Sequence, residues 1–95
     1  MALRYRVHLT PRAVRELAAL PKDAQARIDA RILTLADNPR PAGVEKLAGG
    51  GELYRIRAGG YRVVYSIHDD VLLVLVVRIG HRGEVYRKLR RRRGK

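Results

Sequence analysis

Apolar and polar positions alternate in the chain at two different periods, and the change of period marks the elements. Tyr5, Val7 and Leu9 alternate with Arg4, Arg6 and His8 over residues 4–9. A period of two is that of a strand with one covered face. Thr10-Pro11 then opens a helix, Thr as the capping residue and Pro in the first helical position. Val14, Leu17 and Ala18 form its predicted apolar side. Pro21 interrupts, and a second helix is predicted over 22–36, with Ala24, Ile28, Ile32 and Leu35 on one side and Arg27, Asp29 and Arg31 mostly off it. Asn38-Pro39 ends it. Residues 39–51, with two Pro and four Gly, read as a loop. It lacks the Gly-Lys-Ser/Thr ending and the following helix of a nucleotide-binding loop.

The period of two then returns. Strands are predicted over 53–58, 61–68 and 71–79, joined by tight turns at Gly59-Gly60 and Asp69-Asp70. The last is apolar on both faces as far as Arg78, the pattern of a strand with neighbours on each side. Residues 84–93 are predicted as a basic C-terminal helix or tail. The pattern predicts one α+β domain over 1–95: a small, curved, mainly antiparallel sheet of about four strands in the order β-α-α-β-β-β. Its helical hairpin packs on one face, and an arginine-rich face is left open. The basic tail occupies about 87–95.

Charge changes this picture. The net charge is +12, divided as +3 over residues 1–54 and +9 over 55–95. Such segregation favours a polyanionic partner, nucleic acid or an acidic protein that mimics it. No cysteine is present, which excludes disulfides and thiolate metal sites and suits a cytoplasmic location. Met1–Arg6 has no signal-like apolar run, and Val71–Val77 is too short to cross a bilayer, so no membrane role is expected.

The candidate chemistry sits on the strands. Arg55 and Arg57 share a strand face, and Arg62 lies across the Gly59-Gly60 turn. Guanidinium groups grip phosphate through a two-pronged fork and stay charged. Several around one phosphate would stabilise charge that builds during phosphoryl transfer. Arg82 and Tyr86 follow the last strand. Tyr86 is suited to stack on a base or orient a ribose hydroxyl, and His81 is the side chain best poised for proton transfer near neutral pH. Arg78, Arg87, Lys88 and Arg90 extend the phosphate-binding surface. Alternating arginines can equally serve only to solvate a sheet face, and His8 and His68 read as exposed strand residues. Tyr61 and Tyr65 read as core. With Ser66 as the only serine and no carboxylate pair in reach, any catalysis rests on Arg, His and Tyr. The three histidines have no metal-ligand spacing, and neither metal nor cofactor is expected.

Gly60-Tyr61-Arg62-Val63-Val64-Tyr65 and Gly80-His81-Arg82 with Glu84-Val85-Tyr86, together with Glu45-Lys46-Leu47 and Leu53-Tyr54-Arg55-Ile56-Arg57, resemble the RelE/ParE superfamily of toxins from type II toxin–antitoxin modules. The resemblance spans nearly the whole chain. It implies a small sheet flanked by helices and an acidic antitoxin that wraps the toxin, which alone is expected to be monomeric. In the RelE branch it implies cleavage of mRNA in the ribosomal A site, where the 2′-hydroxyl attacks the adjacent phosphate and no metal is needed. Arg62 and Arg82 would hold the scissile phosphate, Tyr86 would orient the nucleotide, and Arg57 and Arg55 would occupy the basic strand. RelE-like enzymes can carry lysines on that strand. Arginine cannot act as a base, so proton transfer is left unassigned, with His81 expected to take part of it. A ParE-type inhibitor of DNA gyrase, without catalysis, is the alternative, and a basic nucleic-acid-binding module is a third.

Overall fold

The computed structural model describes residues 4–47 and 52–81. Within them the chain runs β1 (Arg6–Leu9), α1 (Pro11–Ala18), α2 (Lys22–Thr34), β2 (Glu45–Lys46), β3 (Leu53–Ala58), β4 (Tyr61–His68) and β5 (Leu73–His81). One sheet results, with spatial order β1-β5-β4-β3-β2. Neighbours from β5 to β2 are antiparallel, and β1 joins β5 in parallel. The α+β class, the element order and the interior place of β5 are those expected. The expected C-terminal helix and the glycine run 49–51 lie outside the described residues, as do Arg82, Tyr86, Arg87, Lys88 and Arg90.

The sheet has one strand more than expected. Glu45 and Lys46 pair with Arg55 and Tyr54 as a two-residue edge. A strand this short leaves no apolar periodicity to read.

Both helices form for the reasons their sequence suggests. The Thr10 hydroxyl accepts from the Ala13 N–H at 3.2 Å, satisfying a donor that the first turn leaves orphaned. At the far end of α1, Gln25 of α2 donates to the carbonyls of Leu20 (2.8 Å) and Ala18 (3.3 Å) and ties the hairpin together. Ala24, Ile28, Ile32 and Leu35 are all buried, as predicted. In α1 the buried residue is Ala13, with Leu17 and Leu20 packed beside it, while Val14 is 51% exposed and Ala18 lies outside. The short helix is turned so that Ala13 meets the core and Glu16 reaches β5, and this takes Val14 out of contact.

The core lies between the hairpin and one face of the sheet. Ile56 and Ala58 of β3, Val63, Tyr65 and Ile67 of β4, and Val74, Val76 and Ile79 of β5 all pack into it. Val76 and Ile79 are three residues apart, a spacing that in a regular strand would send them to opposite faces. The pairing slips here: Val64 faces Arg78 and Tyr65 faces Val76, so Val77 is an extra residue on β5. This bulge restores the phase and returns Ile79 to the core.

A polar network closes the opposite end of the sheet. The Tyr65 hydroxyl, fully buried, donates to the Pro39 carbonyl at 2.7 Å. Tyr65 stacks on Tyr54 with ring centroids 6.0 Å apart, and Arg40 lies 5.6 Å above the Tyr54 ring. Arg40 also bridges to Asp69 at 2.9 Å, and Asp69 accepts from the Tyr5 hydroxyl at 2.5 Å. Asp69 thus does more than make a turn: it ties the start of β1 and the loop after α2 to the β4–β5 connection.

The β3–β4 turn has only two residues, Gly59 and Gly60. Gly59 adopts φ +64°, a backbone region that side chains disfavour. A Cβ there would lie 3.0 Å from Nη1 of Arg27, which packs over the turn. Gly59→Ala is therefore expected to lower stability by about 1–2 kcal/mol, read from denaturant midpoints. An unchanged midpoint would show that the turn relaxes freely.

Candidate nucleic-acid interface

The β3–β4 hairpin gathers the cations. Arg57 stands directly opposite Arg62 in the ladder, and Arg55 opposite Val64. Cross-strand partners share a face, so Arg55, Arg57 and Arg62 project together, away from the helical hairpin. Like charges directly opposed across a ladder destabilise it by a few tenths to about 1 kcal/mol. A fold that keeps three guanidinium groups in this array maintains a standing positive potential there.

These arginines are not laid out on an open face as expected. Arg55 is 6% exposed and Arg62 7%, while Arg57 is exposed. The chain brings Glu45 of the β2 edge against Arg55 as an ion pair. Burial, and then the neighbouring charges of Arg62 and Arg57, hold the Arg55 guanidinium below its ordinary pKa. The three groups therefore sense one another. From α2, Arg31 donates through Nε to the Arg57 carbonyl at 3.1 Å and steadies the strand end.

Arg78 departs further from the phosphate-binding role expected of it. It is 3% exposed, and its Nε donates to Glu16 of α1 at 3.0 Å. Its ladder partner is Val64, itself opposite Arg55, so Arg78 starts on the arginine face and is committed at the β5 edge to Glu16.

His81 is also placed differently. It pairs with Tyr61, whereas Arg62 pairs with Gly80. Adjacent strand residues point to opposite faces, so the His81 ring stands on the helical-hairpin side. There it meets Tyr61 edge-on, with centroids 5.6 Å apart and planes at 84°. The structure thus brings Arg55, Arg57 and Arg62 together and separates His81 from them. His68 contacts Ser66 at 3.0 Å at the exposed end of β4, and Tyr61 and Tyr65 pack on the core as expected. Among the described residues no three His, Cys, Asp or Glu converge as metal ligands, and no helix is long and apolar enough to cross a membrane.

Sequence reasoning passed over Glu16 and Glu45. Glu45 sat in a quoted motif without a role. Glu16 left a faint signal: it falls at helical spacing from Ala13 and Leu20, where an apolar residue would serve a plain core face.

Comparison with known families decides what this hairpin belongs to. The sequence profile described as "ParE toxin of type II toxin-antitoxin system, parDE" matches residues 7–86. The chain is a member of the RelE/ParE toxin superfamily. Within it the relatives fall in the RelE branch. The mRNA interferase toxin RelE of Escherichia coli K12 is 30% identical over 86 residues, covering 86% of this chain and 90% of its own. Toxin RelE of Mycobacterium tuberculosis is 36% identical over 84 residues, covering 87% of each. In structure, the toxin–antitoxin complex RelBE2 from M. tuberculosis superimposes with a TM-score of 0.77 at 27% identity, over 86% of this chain and 95% of the other. This RelE-branch toxin shares with them the sheet and the helical hairpin on one face.

Proposed function

We propose that this toxin is a ribosome-dependent endoribonuclease that cleaves mRNA in the A site. The observation that carries the reading is the direct opposition of Arg57 and Arg62 on the β3–β4 hairpin, with Arg55 two positions along the same face. A buried, preorganised guanidinium stabilises charge far better than one free to move in water. Arg62 is given the non-bridging oxygens of the scissile phosphate. Arg57 and Arg55 hold the neighbouring backbone.

The chemistry is an internal transfer. The ribose 2′-oxygen forms a bond to the adjacent phosphorus, and the bond from phosphorus to the 5′-oxygen of the next nucleotide breaks. The 2′-hydroxyl proton leaves as the first bond forms, and a proton reaches the departing 5′-oxygen. A 2′,3′-cyclic phosphate and a 5′-hydroxyl result, without a metal. Matching the superfamily motif, Arg82 joins Arg62 at the phosphate and Tyr86 orients the attacked nucleotide. Arg87, Lys88 and Arg90 add positive charge that follows the RNA backbone. An acidic antitoxin that wraps the monomeric toxin is the partner that the +12 charge calls for. An activity on ribosomes places the protein in the cytoplasm.

Proton transfer is not given to His81, whose ring stands on the opposite side of the sheet from Arg62. His81→Gln is expected to cleave within about threefold of the parent protein, short of the factor of about 10² or more that a general acid or base contributes. A loss of that larger size in a folded variant would return His81 to the mechanism.

The direct test is primer extension on a defined mRNA in a purified translation system. Cuts confined to A-site codons, and absent without ribosomes, support the reading. Intact mRNA beside folded protein favours the second reading, a ParE-type inhibitor of DNA gyrase, which the ParE description of the matching profile keeps in view. A gyrase cleavage-complex assay then follows.

A further inference from the structure

Strand β5 loses its neighbour halfway along. β1 pairs with Leu73–Val76 and then ends, because Thr10-Pro11 turns the chain into α1. Among the described residues, 77–81 have no strand neighbour on that side. Four hydrogen bonds to Thr10 and α1 run along this side of β5. The Thr10 N–H donates to the Val76 carbonyl at 2.9 Å, and the Thr10 hydroxyl to the Val77 carbonyl at 3.4 Å. Farther along, the Glu16 carboxylate divides its two oxygens: Oε1 accepts from the Ile79 N–H at 2.8 Å, and Oε2 from Arg78 Nε at 3.0 Å. Arg12, one turn earlier on the helix, stands 3.5 Å from the same Oε2.

We infer that Glu16 is a positioning residue for the reaction, holding the bulged end of β5, where Gly80 lies across the ladder from Arg62, at the height the phosphate-gripping Arg62 requires. This rests on the endoribonuclease reading. Gly80 is the ladder partner of Arg62, so the height of β5 at Gly80 sets how the two strands present their groups. The Val77 bulge makes this segment the irregular part of the ladder, and among the described residues Glu16, not a strand, holds its outer side. The pair is not what packing alone would select. Among the described residues Arg78 Nη1 is buried with no hydrogen-bond partner, and a buried ion pair is often no more stable than apolar residues of similar volume. A salt bridge kept at that cost, on the strand that leads to the site, fits orientation better than stability.

The test uses the full chain on ribosomes programmed with a defined mRNA, in single-turnover cleavage, with amide exchange measured in the free protein. Glu16→Ala is expected to lower the maximal rate about 30-fold to 100-fold, the scale of a lost positioning contact. The ribosome concentration giving half that rate should stay within about threefold. Exchange at Ile79 should rise at least tenfold while Val74 is unchanged. Glu16→Gln keeps an acceptor at full reach and should recover to within about fivefold of the parent rate. Glu16→Asp keeps the charge but is one methylene short, and should stay impaired. If Glu16→Ala does not fold, the Gln and Asp variants decide the matter. Parent-like rates in Glu16→Ala or Glu16→Asp would overturn the inference. So would equal losses in rate and half-saturation with exchange raised across the whole sheet. Parent protein that never cuts mRNA would instead defeat the functional reading, and exchange at Ile79 would still decide whether Glu16 holds the strand end.

Discussion

Arg62→Ala is expected to lose mRNA cleavage by about 10²-fold to 10³-fold, the cost of removing one preorganised group that stabilises transition-state charge, while unfolding within about 1 kcal/mol of the parent protein. The two halves of this expectation have separate origins. Arg62 is buried at the centre of the arginine array, opposite Arg57 and on the same face as Arg55. Its removal gives up the packing of its stem and its remaining contacts and relieves repulsion between like charges, and these effects oppose each other. Catalysis has no such offset, since the same positive potential that strains the ladder is what a pentacovalent phosphate needs. Arg62→Lys should fall between, because a lysine keeps the charge but not the fork that grips two oxygens at once. Single-turnover cleavage on programmed ribosomes, with denaturant unfolding of the same preparations, reads both quantities. Full cleavage by Arg62→Ala would remove the array from the chemistry. A loss of more than about 3 kcal/mol in stability would make Arg62 a structural residue first.

The separation of stability from activity explains which parts of this molecule were legible in its sequence. Strands β3 and β4 and their two-residue turn could be placed to the residue, because alternation and Gly59-Gly60 are local signals. The buried side of α2 was legible for the same reason. Three features resist such reading, and each depends on contacts between distant residues. The β2 edge depends on what β3 offers it, backbone partners and the Arg55 guanidinium opposite Glu45. The Val77 bulge moves Ile79 and His81 to the core side, so counting positions along β5 cannot show that His81 and Arg62 part company. Arg78 looks like one more surface cation until Glu16, 62 residues earlier, is seen to meet it. Charge asymmetry pointed at the second half of the chain, but charge cannot distinguish an arginine aimed at a ligand from one committed to a buried carboxylate.

Tyr65→Phe is the substitution expected to act most on the fold while sparing the arginine array. Tyr65 is 0% exposed, and its hydroxyl is the link from the middle of the sheet to the loop after α2, through the Pro39 carbonyl. Removing the hydroxyl leaves that buried carbonyl without its donor, a cost of about 1–3 kcal/mol, and each kcal/mol lowers the melting temperature of a domain this size by about 4–8 °C. The pH dependence identifies the cause. Burial raises the Tyr65 phenol from 10.0 to about 12, against the lesser opposing pull of Arg31 and Arg40. The neutral phenol is therefore favoured in the folded chain, and its contribution is complete below pH 10. Above pH 10 the unfolded chain ionises while the folded chain does not. Stability should then fall by up to about 1.4 kcal/mol per pH unit until the folded phenol ionises near pH 12. Tyr65→Phe should start lower at neutral pH and lack this share of the alkaline decline, so the two stability curves converge as pH rises. Curves that remain parallel between pH 8 and pH 11 would place the alkaline sensitivity elsewhere, with Tyr5 the next residue to test. Its phenol is raised first by the hydrogen bond to Asp69, and its contribution too is lost as pH rises.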